Sequence, residues 1–153
     1  MEAESKRALY ERIATQLEGL FVKTSDPVAR MATASALLSG KLPGFFWVGW
    51  YLLRDGKLTV GPYQGPLACL VLPDRQGVCW EGVIRGESVI VPDVHKFSGH
   101  VACDARSLSE IVVPLRDAAG SVVGVLDVDS DLLDHFDDVD RVGLERVVAL
   151  IHA

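Results

Sequence analysis

A change of hydrophobic period at Phe45 divides this chain into two kinds of structure. Before it, Leu9, Ile13, Leu17 and Leu20 fall at spacings of four, four and three, the apolar stripe of an amphipathic helix over residues 2 to 20. A second helix follows, with Asp26 as N-cap, Pro27 in its first turn, and a stop at Ser39-Gly40 after the Ala- and Leu-rich run to Leu38. Beyond it the apolar residues come in short runs: Phe45 to Leu53, Leu58 to Tyr63, Ala68 to Leu72, Ser88 to Val91, Glu110 to Leu115 and Ser121 to Asp129. These predict six strands. Arg54-Asp55-Gly56-Lys57 and Asp117-Ala118-Ala119-Gly120 have turn chemistry, which makes the first and last pairs antiparallel hairpins. A short helix is expected near Gly77 to Arg85. A terminal helix over Asp137 to Ile151 has Asp137, Asp138 and Asp140 in its first turn and Val139, Val147, Leu150 and Ile151 for its apolar side. Helices at both ends of a central six-stranded antiparallel sheet make an α+β architecture.

At 153 residues, 49% of them hydrophobic, the chain reads as one domain over 1–153 with a core of its own. A domain of this size buries roughly 68–70% of its unfolded surface, so it folds without a disulfide framework or a structural metal. Fifteen Lys+Arg against twenty-one Asp+Glu, a net charge of −6, argue against nucleic acid or an anionic membrane as partner. The charge-free stretch across the aromatic cluster, Leu42 to Leu53, is twelve residues and too short to span a bilayer. No basic segment leading into an apolar one opens the chain, so a cytoplasmic location is expected. In that reducing setting three cysteines, Cys69, Cys79 and Cys103, suit a thiol, a transient disulfide or a metal ligand better than a structural bridge.

Three groups of residues carry candidate chemistry. Strand alternation puts Asp127 and Asp129 on one face, about 6.6 Å apart, with Leu126 and Val128 on the other. Such a pair raises one apparent pKa or holds a cationic group; a strand end emerging into solvent is the plainer alternative. Glu110 opens the neighbouring strand and is placed to join the pair. In Phe46-Trp47-Val48-Gly49-Trp50-Tyr51, alternation sets Trp47, Gly49 and Tyr51 on one face and Phe46, Val48 and Trp50 on the other, with Gly49 leaving a gap between two rings. Such a gap suits a small sulfur-containing group, since sulfur–ring contacts contribute about 0.3–1.5 kcal/mol, although ordinary core packing explains the residues too. Finally, Pro92 to Ser109 runs eighteen residues without periodicity, longer than the about 12–15 residues of ordinary loops. It holds Cys103 among His95, Lys96, His100 and Arg106, a neighbourhood that activates a thiol. A zinc site from His95, His100, Cys103 and a second cysteine, or an inert buried thiol, are the competing readings.

Taken together, several motifs resemble the free methionine-(R)-sulfoxide reductases, single GAF-domain enzymes. They are Phe46-Trp47-Val48-Gly49-Trp50-Tyr51, Gly61-Pro62-Tyr63-Gln64-Gly65, Ala68-Cys69, Gly77-Val78-Cys79, Pro92-Asp93-Val94-His95, Gly99-His100-Val101-Ala102-Cys103-Asp104, the strand from Ser109 to Leu115, and the strand from Gly124 to Ser130. The resemblance runs from the first helix to the last. It implies a GAF fold and the reduction of free methionine-(R)-sulfoxide, with Cys103 as nucleophile and Cys69 as the thiol that closes a disulfide reopened by a thioredoxin-type reductant. It further implies Cys79 as an alternative resolving or structural thiol. Glu110, Asp127 and Asp129 would hold the substrate ammonium and protonate the departing oxygen, and Trp47 and Tyr51 would box the S-methyl group. No cofactor is implied, and a homodimer is. A non-catalytic GAF module that senses a small ligand or redox state is the alternative of a different class. Trp80 follows Cys79 where the family pattern has glycine, a bulk that bears on how Cys79 approaches Cys103.

Overall fold

A computed structural model describes residues 1–100 and 103–153; Val101 and Ala102, part of the Gly99 to Asp104 motif, lie outside the described residues. Two helices, α1 (Ala3–Phe21) and α2 (Pro27–Lys41), lead into the hairpin β1 (Trp47–Arg54) and β2 (Lys57–Gln64). Then come α3 (Val78–Arg85), β3 (Val89–Val91), a 3-10 turn at Val94–Lys96, the hairpin β4 (Ser109–Arg116) and β5 (Val122–Ser130), and α4 (Asp138–Ala149). The described residues form a five-stranded sheet in the order β2-β1-β5-β4-β3, with every pairing antiparallel. Both predicted hairpins are present. Asp55 (φ 52°) and Gly56 (φ 75°) give the first turn the paired positive φ that matches strand twist, and the Asp117 side chain accepts from the Ala119 and Ser121 N–H groups in the second.

Local chemistry sets the helix ends. The Asp26 carboxylate accepts the Val28 N–H at 2.9 Å with Pro27 in the first turn, as expected. Asp137 and Asp140 form a reciprocal capping box at the start of α4. The α2 helix passes through its expected stop at Ser39-Gly40 and ends at Lys41. Leu38 and Leu42 are both buried one turn apart, the Leu42 N–H reaches the Leu38 carbonyl at 3.0 Å, and that burial outweighs the roughly 1 kcal/mol cost of glycine in a helix.

Six strands were expected and five are found, because Ala68 to Leu72 does not form one. This segment touches β2 only through a bridge between Thr59 and Val71, with hydrogen bonds from Val60 to Leu70 and from Leu72 to Leu58. Pro66 and Pro73 bound it, and Cys69 is drawn off the sheet edge into a disulfide. Phe46 also departs from expectation. It precedes β1, so strand alternation does not govern it, and it packs beside Trp47 instead of joining Val48 and Trp50.

Each face of the sheet has its own core. On one, Val48, Trp50, Ile111, Val113, Leu126 and Val128 pack against α1, α2 and α4. On the other, Trp47, Tyr51, Val112 and Val125 pack against α3 and the long loops. Arg30, buried in α2, ties the helical layer together: its guanidinium donates to the Phe21 carbonyl at the end of α1 and to the Leu150 and Ile151 carbonyls after α4. Among the described residues, no helix is long and apolar enough to cross a membrane.

Candidate active site

The site lies on the sheet face turned away from the terminal helices, where register brings together residues far apart in the chain. Glu110 on β4 pairs with Asp129 on β5, and Asp129 pairs on its other side with Trp47 of β1. Asp127 faces Gly49 and Val112 in the same way. Neighbours directly across antiparallel strands stand about 4.5–5.5 Å apart at Cβ, so the two aspartates and Glu110 form one cluster, as strand alternation predicts. They are not a solvent-exposed strand end: Asp127 is 5% exposed, Glu110 6%, and Asp129 half-buried.

Burial sets the protonation of this cluster. It drives Glu110 well above the carboxylate range, and the charges of Asp127 and Asp129 add to the effect. Asp129 rises well above its ordinary value from the same burial and from Asp127. Burial raises Asp127 as well, but hydrogen bonds from Glu110, Cys79 and Asp129 oppose it by stabilising the charged form. The three acids therefore share protons at neutral pH, with Asp127 the residue best supported as carboxylate. One of its oxygens, Oδ1, is buried without a hydrogen-bond partner among the described residues. A buried acceptor left open in this way is prepared for a donor that enters from outside the chain.

Cys79 stands against these acids from the first turn of α3. Its Sγ and carboxylate oxygens of Glu110 and Asp127 all lie within 4.8 Å of one another. Burial, reinforced by Asp127, Glu110 and Asp129, pushes the thiol well above its ordinary pKa, so Cys79 is a neutral, protonated thiol in this setting. The other two cysteines are joined to each other: a disulfide links Cys69 and Cys103, with Cα atoms 5.5 Å apart, while Cys79 is free and buried. Cys103 is thus not available to a zinc site with His95 and His100 in this state. Among the described residues, the ligand-type groups that converge are Cys79, Glu110 and Asp127 instead.

The aromatic wall differs from the expected gap between two rings. Trp47 and Tyr51 stack on each other across Gly49, with centroids 5.8 Å apart and planes 22° apart, and Tyr63 stacks on Trp47 at 5.2 Å. The indole N–H donates to the Pro66 carbonyl and the Tyr51 hydroxyl to the Cys69 carbonyl, both at 3.1 Å. Burial and the nearby acids raise the Tyr51 pKa, so it remains a phenol that donates. The missing Cβ of Gly49 lets the rings meet, producing one continuous wall.

The loop around Cys103 is also less cationic than its sequence suggests. Arg106 is committed to Asp104, with Nη2 to Oδ2 at 2.7 Å, and its guanidinium lies 4.9 Å from the Phe46 ring centre. Arg106 holds the Asp104 carboxyl down at about 2. His95 sits 3.5 Å from Asp93, and burial together with His95 lowers the pKa of His100. Between this loop and the acids is a cavity of about 50 Å³, walled by Trp47 and Tyr51, with Cys103 and His100 on its loop side and Cys79 and the acids on its sheet side. Phe46 and Ser107 line it as well, which pattern reading missed: both lie outside a regular element, where no periodicity assigns a face.

Comparison with known proteins agrees with this geometry. The model of the GAF domain matches residues 28–153. GAF domain-containing protein A of Dictyostelium discoideum is 42% identical over 96% of this chain and 92% of its own length. The free methionine-R-sulfoxide reductase of Escherichia coli is 41% identical over 95% of this chain and 87% of its own. The X-ray structure of the free methionine-R-sulfoxide reductase from Neisseria meningitidis in complex with its substrate superposes with a TM-score of 0.90 at 40% identity, covering 96% of this chain and 88% of that one. With likeness of this order along nearly its whole length, the chain belongs to the GAF-domain family of free methionine-(R)-sulfoxide reductases.

Proposed function

We propose that this chain reduces free methionine-(R)-sulfoxide to methionine by thiol chemistry, as one GAF domain over residues 1–153. The observation that carries the reading is the Cys69–Cys103 disulfide beside a small cavity lined by proton-sharing acids and an aromatic wall. In the reduced enzyme, the Cys103 thiolate attacks the sulfoxide sulfur. A sulfoxide oxygen leaves poorly unless protonated, and Glu110 and Asp129, held protonated by burial, are suited to supply that proton. As the Cys103–methionine S–S bond forms, the oxygen leaves as water; water then adds to the Cys103 sulfur, the S–S bond breaks, methionine departs as the two-electron-reduced product, and Cys103 is left as a sulfenic acid.

Cys69 then attacks the Cys103 sulfur: an S–S bond forms, the S–O bond breaks, and the oxygen leaves as water. A thioredoxin-type dithiol reopens the disulfide by exchange and takes the oxidation onto itself. The substrate ammonium donates to the open Oδ1 of Asp127, and the Trp47–Tyr51 wall receives the S-methyl group. Cys79, a protonated thiol within 4.8 Å of the Asp127 carboxylate, holds the acid cluster instead of resolving the sulfenic acid. A cytoplasmic homodimer recycled by thioredoxin completes the reading, because the catalytic cycle needs a compartment that keeps supplying dithiol.

The test is methionine release by the pre-reduced protein from free R- and S-methionine sulfoxide and from a peptide-bound sulfoxide, with and without thioredoxin recycling. The expected result is release from the free R form alone, lost in Cys103→Ser. A folded, fully reduced protein that releases nothing overturns the proposal and favours a GAF module that only binds its ligand.

A further inference from the structure

We propose that Cys79, Glu110 and Asp127 form a binding site for a borderline-soft divalent cation of the zinc class, open to the cavity and present while Cys69 and Cys103 are bonded to each other. The donor set is one sulfur and two carboxylates, all from buried residues, converging within 4.8 Å. A zinc ion places sulfur at about 2.3 Å and oxygen at about 2.0–2.2 Å, which sets donors about 3.5 Å apart in a tetrahedron. Side-chain movements of about 1 Å therefore close the three groups around an ion. Magnesium and calcium are poor fits, since they call for six or more oxygens and do not favour sulfur.

A second observation points the same way: Asp127 Oδ1 is buried with no hydrogen-bond partner among the described residues. The cavity supplies both the route in and the fourth position, where water or half-buried Asp129 completes the coordination. A dication there neutralises acids that burial otherwise forces to share protons. Binding sends the thiol proton and a carboxyl proton to solvent, leaving a Cys79 thiolate as ligand. An ion on Asp127 and Glu110 occupies the groups assigned above to the substrate ammonium and to proton supply, so ion and substrate exclude each other.

The disulfide form makes the test clean, because Cys79 is then the only thiol in the chain. Oxidised protein is titrated with Co²⁺, whose thiolate charge-transfer band in the near ultraviolet reports sulfur ligation. One equivalent per chain is expected, with the band displaced by Zn²⁺ and absent from Cys79→Ser. Asp127→Asn, which keeps the thiol, is expected to weaken Co²⁺ binding at least tenfold. No saturable band in the parent protein overturns the site, as does the same band in a folded Cys79→Ser variant or unchanged affinity in Asp127→Asn. Should Cys79→Ser fail to fold, as judged by circular dichroism, Asp127→Asn and Glu110→Gln carry the test. The readout is spectroscopic and made without turnover, so failure of the metal site and failure of the reductase reading are separate results.

Discussion

Replacing Gly49 by alanine tests whether the aromatic wall depends on the one position in β1 that lacks a side chain between Trp47 and Tyr51. A Cβ built at Gly49 lies 2.5 Å from Cη2 and 2.9 Å from Cζ3 of Trp47, and it also meets Cβ of Tyr63, the residue paired with Gly49 across the hairpin. Comfortable carbon contacts are about 3.5–4.0 Å, so the indole has to retreat by about 1 Å. Its retreat is opposed by the bond to the Pro66 carbonyl and by its stacks on Tyr51 and Tyr63, while Cβ of Tyr63 is fixed to the neighbouring strand. Overpacking of this kind costs about 1–3 kcal/mol, and the lower freedom of alanine in the unfolded chain returns only about 0.4–1 kcal/mol. A net loss of up to about 2.6 kcal/mol lowers Tm by up to about 10 °C in a domain of this size. Thermal unfolding reads that loss, and steady-state kinetics with free methionine-(R)-sulfoxide reads the displaced wall as a raised KM. An unchanged or raised Tm together with an unchanged KM would show that the rings shift freely and that Gly49 is not required.

Asp129→Asn is expected to impair turnover and yet stabilise the fold in a pH-dependent way. Burial and Asp127 hold the folded pKa of Asp129 above its unfolded value of about 3.9, so wild type loses stability relative to the variant as pH rises past about 4. The Tm difference between the two should widen from pH 4 toward neutrality, and a difference that is flat with pH refutes the protonated state. Arg30→Met orphans the Phe21 and Ile151 carbonyls, whose bonds to Arg30 are buried; at about 1–3 kcal/mol each, the loss is about 2–6 kcal/mol. Thermal unfolding should show a drop of at least about 4 °C, and a smaller one means water replaces the guanidinium. Cys69→Ser is expected to release about one methionine per reduced chain and then stop; sustained turnover with thioredoxin would assign resolution to Cys79.

Strand chemistry was the most readable part of the chain. Asp55-Gly56 and Asp117 named their turns, and alternation set Asp127 and Asp129 on a common face with Glu110 opening the adjacent strand, because a period of two holds wherever a strand is regular. Readings failed where a residue's partner lies outside its own element. The helix stop at Gly40 gave way to the burial of Leu42, and Cys69 left the expected sixth strand for Cys103, a partner 34 residues away. Phe46 took the unexpected side because it precedes the first regular residue of β1. The cationic neighbourhood of Cys103 failed for a different reason: residue counts do not reveal that Arg106 spends its charge on Asp104 two positions away.

The residues that hold the acid cluster together are largely ones that never touch it. Burial and the neighbouring acids raise the proton affinity of Glu110 and Asp129, so the register that brings Glu110 opposite Asp129 has to be imposed from elsewhere. Ile111, Leu126 and Val128, on the opposite face of the same strands, are fully buried against the helical layer. A slip of β5 by one residue would send Leu126 and Val128 toward the cavity and drive Asp127 and Asp129 among the helices. Losing two such apolar side chains from the core costs about 3–6 kcal/mol by transfer alone, before any charge is buried. The helical core thus supplies the energy that keeps the acids in a strained arrangement, and that arrangement supplies the shifted proton affinities on which the proposed chemistry depends.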